Sequence, residues 1–341
     1  MNRTGIVSFV GVGPGDPNLM TVRGTELVRR ADVLVYDSML NREILEFAQQ
    51  GVEQIVAGAP ETSDPSKIAQ IMLTRARDGK RVARLVCGDP YFTMEVTAEI
   101  DHVARSGVRF EVVPGVPFAL VLPSRLGIPL FHPQHRTGFS IVALANCDEM
   151  PSMELASVCK GAGTKVILGR LKEVGRLVDD LLSQGLDPDT PAALVRSDRK
   201  GKPQAITGSV RELGALATQA GFETADVIVV GDVVLLRSHL NWVDKLPLAG
   251  QRIAVTRAKD QAGELTRLFL ERGAEVLEVP CIKIEPPTKP EPLAEALAGL
   301  GCYDWIIFTS VNGVTAFFDH FFRTFEDLRD LGGARIAAVG P

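Results

Sequence analysis

At 341 residues the chain is too long for one ordinary domain, and its 45% hydrophobic and 23% charged residues fit a soluble globular protein of two or three units. A net charge of −5 leaves no basic excess to neutralise phosphates, so general nucleic-acid binding is not expected. The five cysteines stand singly, with no Cys-x-x-Cys pair for zinc or dithiol chemistry, and fit a reducing cytoplasm. No membrane partner is expected, because no apolar run is long enough to cross a bilayer. Nor does a charged-then-apolar leader precede the first strand.

Strand-like and helix-like runs alternate. The apolar run Val7 to Val10 enters Gly11-Val12-Gly13-Pro14-Gly15-Asp16-Pro17, and a helix follows from Thr21 to Arg30 with Thr21 as N-cap. Strands are predicted at Val33 to Tyr36, Arg81 to Val86 and Phe110 to Val113, with a helix over Ile68 to Asp78. The pattern breaks near Phe131 to Gly138. A second unit then supplies strands at Phe139 to Leu144, Thr164 to Leu168, Ala192 to Val195, Gln204 to Thr207 and Asp226 to Leu236, and a helix over Leu171 to Ser183. Continuous apolar strands between helices predict α/β architecture with largely parallel sheets.

Asn241 to Gly250 reads as a linker. Beyond it come strands at Arg252 to Thr256, Glu275 to Val279, Trp305 to Phe308 and Arg335 to Val339. Helices are predicted over Gln261 to Arg272, Leu293 to Leu300 and Val311 to Phe322. A βαβαβ series that stops on a buried-type strand predicts an incomplete third unit.

Two Gly-Asp-Pro turns, at Gly15-Asp16-Pro17 and Gly88-Asp89-Pro90, each follow a strand. Together they predict a crevice built from backbone at strand carboxyl ends. It is not a dinucleotide fingerprint, because Asp16 stands where the third Gly belongs. Nor is it a P-loop, because Gly-Lys-Ser/Thr is absent. No metal-ligand cluster is apparent.

From Gly11-Val12-Gly13-Pro14-Gly15-Asp16-Pro17 and Ala31-Asp32-Val33-Leu34-Val35-Tyr36-Asp37 onward, the chain resembles the uroporphyrinogen-III C-methyltransferases of the tetrapyrrole methylase family. Gly88-Asp89-Pro90, Val112-Val113-Pro114-Gly115-Val116, Gly127-Ile128-Pro129-Leu130, Thr207-Gly208-Ser209, Val230-Gly231-Asp232 and Leu240-Asn241-Trp242 extend the likeness. From Leu248 the chain resembles the N-terminal part of uroporphyrinogen-III synthase. The matching residues are Gly250-x-Arg252-Ile253-Ala254-Val255-Thr256-Arg257, Gly273-Ala274-Glu275-Val276 and Tyr303 to Val314.

The resemblance implies an α/β fold in which a two-lobed tetrapyrrole methylase is followed by a partial two-lobe synthase-like unit. The boundaries expected are 1–135, 136–243 and 244–341. It implies S-adenosylmethionine in the cleft, a tetrapyrrole substrate, a homodimer, and C-methylation of uroporphyrinogen III to precorrin-2 on the route to sirohaem or cobalamin. A truncated synthase region is expected to lack ring-closing activity. In that region Ser310, Asn312 and Gly313 are either ligand contacts or a self-capping helix start.

Asp37 matches the position proposed as proton acceptor, and its alternative is a helix cap. For the cofactor, the resemblance points to Pro14, Gly88, Asp89, Phe92, Pro117, Phe118, Leu168 and Ala193. Gly88 would let backbone approach the ligand. Asp89 would accept from ribose or amino groups, or else form an Asx turn before Pro90. Leu168 and Ala193 would line the adenine slot or simply pack the core.

The chain departs from the family where the tetrapyrrole carboxylates should be gripped. No Lys lies between Val52 and Ser66. Glu95 stands in an Arg position and Ala98 in a Glu position. Phe131-His132-Pro133 replaces Thr-His-Arg, and Ile167-Leu168 replaces Tyr-Met before Gly169. Arg125, His135, Arg136, Arg170, Arg196 and Arg199 are the candidate replacement cations. A different acceptor, or a non-enzymatic tetrapyrrole-binding scaffold, is the competing expectation.

Overall fold

The computed structural model describes residues 5–58, 64–135, 138–144, 152–172, 174–198, 202–222, 224–283, 285, 289 and 291–339. The chain divides into two compact units, Met1–Ala249 and Gly250–Pro341.

The first unit begins with β1 (Ile6–Gly11), α1 (Val22–Arg30), β2 (Val33–Asp37), β3 (Glu53–Ala57) and α2 (Pro65–Arg77). It continues through β4 (Arg81–Val86), α3 (Met94–Arg105), β5 (Phe110–Val113) and α4 (Phe118–Arg125). Its first sheet has the order β3-β2-β4-β1-β5, and every pairing is parallel. Alternate strand residues point to opposite faces. Val7, Phe9, Val33, Val35, Val82 and Val86 pack with Met72 and Leu73 of α2 and with Ile100 and Val103 of α3. Val10, Leu34, Ala83 and Leu85 pack on the other face with Val28 of α1 and with Ile44. Both faces are covered, as the unbroken apolar runs require. Thr21 caps α1 as predicted, its Oγ1 accepting from the Gly24 N–H at 3.0 Å.

The second sheet is built from β6 (Phe139–Ala143), β7 (Thr164–Lys172), β8 (Pro191–Ser197), β9 (Pro203–Ser209) and β10 (Thr224–Val230). Three helices accompany it: α5 (Ser152–Lys160), α6 (Val174–Ser183) and α7 (Leu213–Gln219). Its order is β6-β7-β10-β8-β9. Only β6 and β7 run parallel; the other pairings are antiparallel. The expectation of largely parallel pairing is corrected in this sheet alone; the first sheet and the two-stranded sheets of the second unit are parallel throughout. A short connection joins β8 directly to β9, and strands so joined pair antiparallel. The apolar run from Asp226 also ends early. β10 stops at Val230, Gly231 takes φ 142°, and residues Asp232–Leu236 coil into a 3-10 turn.

The helix α4 precedes the second sheet in the chain yet packs on it. Ala119, Val121, Leu122 and Leu126 are buried with Val166, Ala193, Val227 and Val229. Gly127 then lies against the backbone of Leu240 and Asn241 at the end of α8 (Arg237–Leu240), where a Cβ would fall 2.4 Å from the Asn241 nitrogen. Arg237 completes this junction by donating from Nη1 to the Leu126 carbonyl at 2.7 Å. The Gly127-Ile128-Pro129-Leu130 and Leu240-Asn241 segments are therefore two halves of one contact.

In the second unit, β11 (Arg252–Val255) pairs parallel with β12 (Glu275–Glu278) across α9 (Lys259–Glu271). After α10 (Glu291–Ala298), β13 (Trp305–Phe308) pairs parallel with β14 (Arg335–Ala338) across α11 (Val311–Thr324). Leu297, Leu300, Phe321 and Leu331 form the buried cluster here. Ser310 caps α11, its Oγ accepting from the Gly313 N–H at 3.1 Å.

Candidate active site

Three loops meet at the carboxyl ends of β1, β4 and β5. Gly13 and Gly88 exchange backbone hydrogen bonds, Gly88 N to Gly13 O at 2.7 Å and Gly13 N to Gly88 O at 3.2 Å. Gly115 is pressed into the same junction, where a Cβ would stand 2.1 Å from the Gly88 carbonyl oxygen and 2.6 Å from the Gly11 carbonyl carbon. Only glycine fits there. Gly88 itself has φ +78°, and its Cα faces the Phe118 ring.

Asp89, nearly buried, ties the junction. Its Oδ1 accepts from the Tyr91 N–H at 2.9 Å and its Oδ2 from the Gly115 N–H at 3.0 Å. The Asx turn before Pro90 is thus present. The Pro14 loop is held from the other side, by Asn41 donating to the Gly15 carbonyl at 2.8 Å and by the Arg125–Asp16 pair at 3.0 Å.

Above this junction lies a cavity of about 240 Å³ bounded by both sheets of the first unit. One wall is Cys87, Gly88, Asp89 and residues 92–95, with residues 117–119 beside it. The other is Ala143, Leu144, Leu168, Gly169 and Asp226. Among the described residues, the lining carries three carboxylates, those of Asp89, Glu95 and Asp226, and no Lys or Arg. Such a site favours a cation and disfavours phosphate. Burial and the nearby Asp37 charge push the Cys87 thiol up to about 12, so it stays protonated at neutral pH.

Of the residues expected at the site, the cavity brings together Gly88, Asp89, Phe92, Pro117, Phe118 and Leu168. Pro14 is buried beside the Gly13–Gly88 bridge and is not in the lining. Ala193 is fully buried in the core of the second sheet.

Asp37 ends β2, one strand from Cys87, and also stands outside the lining. Its side chain caps no helix; Asn41 performs that role, accepting from the Glu43 N–H at 3.1 Å. Instead, Asp37 Oδ1 accepts from Arg84 Nη2 at 2.9 Å.

Arg84 and Glu99 were missed in the sequence. Arg84 shares the face of β4 with Val82 and Val86, beneath α3, and its side chain is 2% exposed. It donates to both Glu99 oxygens, at 2.8 and 3.0 Å, and from Nη1 to the Leu85 carbonyl at 3.1 Å. Burial opposes the Arg84 charge, but the Glu99 and Asp37 carboxylates outweigh it and hold the guanidinium more firmly protonated. Burial pushes the Glu99 carboxyl up, against the pull of Arg84. The signal was available: a charged residue inside the apolar run Arg81 to Val86 must find a buried partner.

Of the replacement cations, the side chains of Arg125, Arg196 and His135 are described, and none of these three is in the cavity lining. Arg125 is paired with Asp16. Arg196 bonds Gln204 and the Gly221 carbonyl and covers the Phe222 ring at 3.9 Å. His135 lies near His132, their ring centroids 5.1 Å apart and their planes tilted by 51°. Arg136 and Arg199 fall outside the described residues, as does the side chain of Arg170. Among the described residues no cluster suited to a metal ion occurs, and no helix is long and apolar enough to cross a membrane.

A larger recess of about 650 Å³ sits at the opposite end of the second sheet, around Pro191, Ser209 and Lys245. Its cations are already engaged: Arg237 with Leu126 and Asp244, and Lys245 with the His239 carbonyl. The glycine junction and the acidic lining belong to the smaller cavity, which is the candidate site.

A family profile described as Tetrapyrrole (Corrin/Porphyrin) Methylases matches residues 7–214. One for Uroporphyrinogen-III synthase HemD matches residues 263–341. The "Porphyrin biosynthesis protein HemD" of Ruminiclostridium josui is 33% identical over 98% of this chain and 68% of its own length. The "Uroporphyrinogen-III C-methyltransferase" of Bacillus subtilis is 28% identical over 98% of this chain and 70% of its own length. Among solved structures, a uroporphyrin-III C-methyltransferase from Thermus thermophilus superposes with a TM-score of 0.57 at 29% identity, over 70% of this chain and 96% of that one. A T. thermophilus structure complexed with S-adenyl homocysteine gives 0.55 at 28% identity, over 67% and 92%.

Proposed function

The chain belongs to the tetrapyrrole (corrin/porphyrin) methylase family, and from that premise we propose that it methylates ring carbons of uroporphyrinogen III with S-adenosylmethionine, giving precorrin-2. The observation that carries this reading is the lining of the cavity, which among the described residues has three carboxylates, no Lys or Arg, and a floor of glycine backbone. When bound, the donor supplies a methyl group already activated by the positive charge on sulfur. The carboxylates of the cavity suit that charge.

The chain's own residues then position the reactants and take up a proton. Gly88 and Phe118 shape the floor, and Leu168 offers an apolar face opposite. Asp37 accepts the proton that the macrocycle gives up on methylation; the methylated carbon already bears a side chain and has no hydrogen of its own to lose. Arg84 fixes the Asp37 carboxylate through Oδ1, and no described residue bonds its Oδ2. Glu99 holds Arg84 by both oxygens, so the guanidinium cannot swing away.

In this reading the lobes are 1–135 and 136–243, with the donor between them, and 244–341 is the synthase-like region. The resemblance supports a homodimer acting in the cytoplasm and feeding sirohaem or cobalamin. The cysteines, all free among the described residues, agree with a reducing compartment. Incubation with methyl-labelled donor and uroporphyrinogen III tests the assignment. Label in a dimethylated product is the expected result, and a donor-bound protein that labels nothing would defeat the substrate assignment.

One observation favours a second reading, in which the same chemistry acts on another acceptor. Glu95 lines the cavity where the family places Arg, and a carboxylate repels the acidic side chains of uroporphyrinogen. A Glu95→Arg variant that gains no uroporphyrinogen binding would count for the different acceptor.

A further inference from the structure

We propose that Asp226 is a specificity-determining residue that reads the amino group of the donor's adenine, an inference that rests on the donor assignment above. The β7–β10 ladder is irregular at one place. Ala225 pairs with Leu171 and Val227 with Leu168, so Gly169 and Arg170 of β7 face the single residue Asp226 of β10. Gly169 adopts φ 147° at that point. A bulge interrupts the alternation of a strand and re-aims its side chains, often beside an active site. Here it presents both Gly169 and Asp226 to the cavity, next to Leu168.

The Asp226 carboxylate is anchored and half used. Its Oδ2 accepts from the Ser197 N–H at 2.6 Å and from the Ser197 hydroxyl at 3.1 Å. Its Oδ1 has no partner among the described residues. The other carboxylates of the lining are placed differently. Both Asp89 oxygens already accept backbone N–H groups, and Glu95 is exposed on the first turn of α3. The Leu168 wall therefore joins an apolar surface to one oriented acceptor at its edge. That combination fits a flat heterocycle carrying an exocyclic amine. Adenine presents such a donor, whereas hypoxanthine presents a carbonyl that the carboxylate would repel.

The test is calorimetric binding of S-adenosylhomocysteine and S-inosylhomocysteine to the full chain and to Asp226→Asn and Asp226→Ala. The unaltered chain is expected to prefer the adenosyl compound by about tenfold or more, the scale of one hydrogen bond to a charged group. Asp226→Ala should erase that preference. Asp226→Asn should reverse or abolish it, because its carbonyl can keep the Ser197 bond while its amide donates into the cavity. The Ala variant also strips Ser197 of its partner, so the isosteric Asn variant carries the decision. If the adenosyl compound binds and both variants keep the original preference, Asp226 does not read the base. If it does not bind the unaltered chain at all, the donor assignment itself fails, and this inference with it.

Discussion

Replacing Arg84 with Met should make the stability of the protein depend steeply on pH. Glu99 is 1% exposed, and Arg84 is the partner that holds both of its oxygens. Burial already pushes this carboxyl up, and Met removes the opposing pull. A carboxyl whose folded pKa is raised contributes stability that is fully present below its unfolded value, about 4.3, and is lost as pH rises through the folded value. The slope is about 1.4 kcal/mol per pH unit over that window. The total is bounded by the roughly 3–5 kcal/mol that breaking a buried ion pair costs. Urea unfolding by linear extrapolation between pH 4.5 and 8 provides the assay. The variant should lie near the parent at the acid end and fall away from it toward pH 8. Adding Glu99→Leu should restore most of the loss, because a buried pair exchanged for apolar groups is close to neutral. A deficit that is flat with pH, or a double variant no better than the single one, would refute the buried-pair reasoning.

Asp37→Asn should lower methyl transfer by about 10²–10⁴-fold while leaving S-adenosylhomocysteine affinity within about twofold, read by label incorporation and calorimetry. Gly88→Ala places a Cβ at φ +78° and 3.1 Å from Phe118 Cδ2. It should cost about 1–2 kcal/mol in urea unfolding and weaken donor binding. Asp32 accepts from the Arg81 side chain and backbone, which holds its carboxyl down at about 2. A depressed carboxyl contributes stability above its unfolded value of about 3.9 that is lost as pH falls through the folded one. With Asp32 31% and Arg81 48% exposed, solvent screening reduces the cost of Asp32→Asn to about 1 kcal/mol at pH 7. That cost should vanish near pH 2 in urea midpoints.

Much of the fold was legible because burial leaves a strong mark on strands. Arg81–Val86, Phe110–Val113 and Trp305–Phe308 have the bounds read from their apolar runs. The β3 strand was passed over, since Glu53-Gln54-Ile55-Val56-Ala57 is half polar and lies at a sheet edge. Strand direction in the second sheet was not legible, because an apolar run reads alike in parallel and antiparallel pairings. The glycine junction could be read, since Gly11, Gly13, Gly88 and Gly115 each punctuate a strand end. The Arg84–Glu99 grip was readable in principle, from a charge inside an apolar strand. Asp226 was not, because its place in the cavity depends on a bulge in β7 that local sequence does not encode.

A crystal of the protein soaked with S-adenosylhomocysteine tests the central claim most directly. The expected density lies between Gly88 and Phe118 on one side and Leu168 and Asp226 on the other, with the sulfur turned toward Asp37. Clear binding at another place, or an empty cavity under saturating ligand, would contradict it.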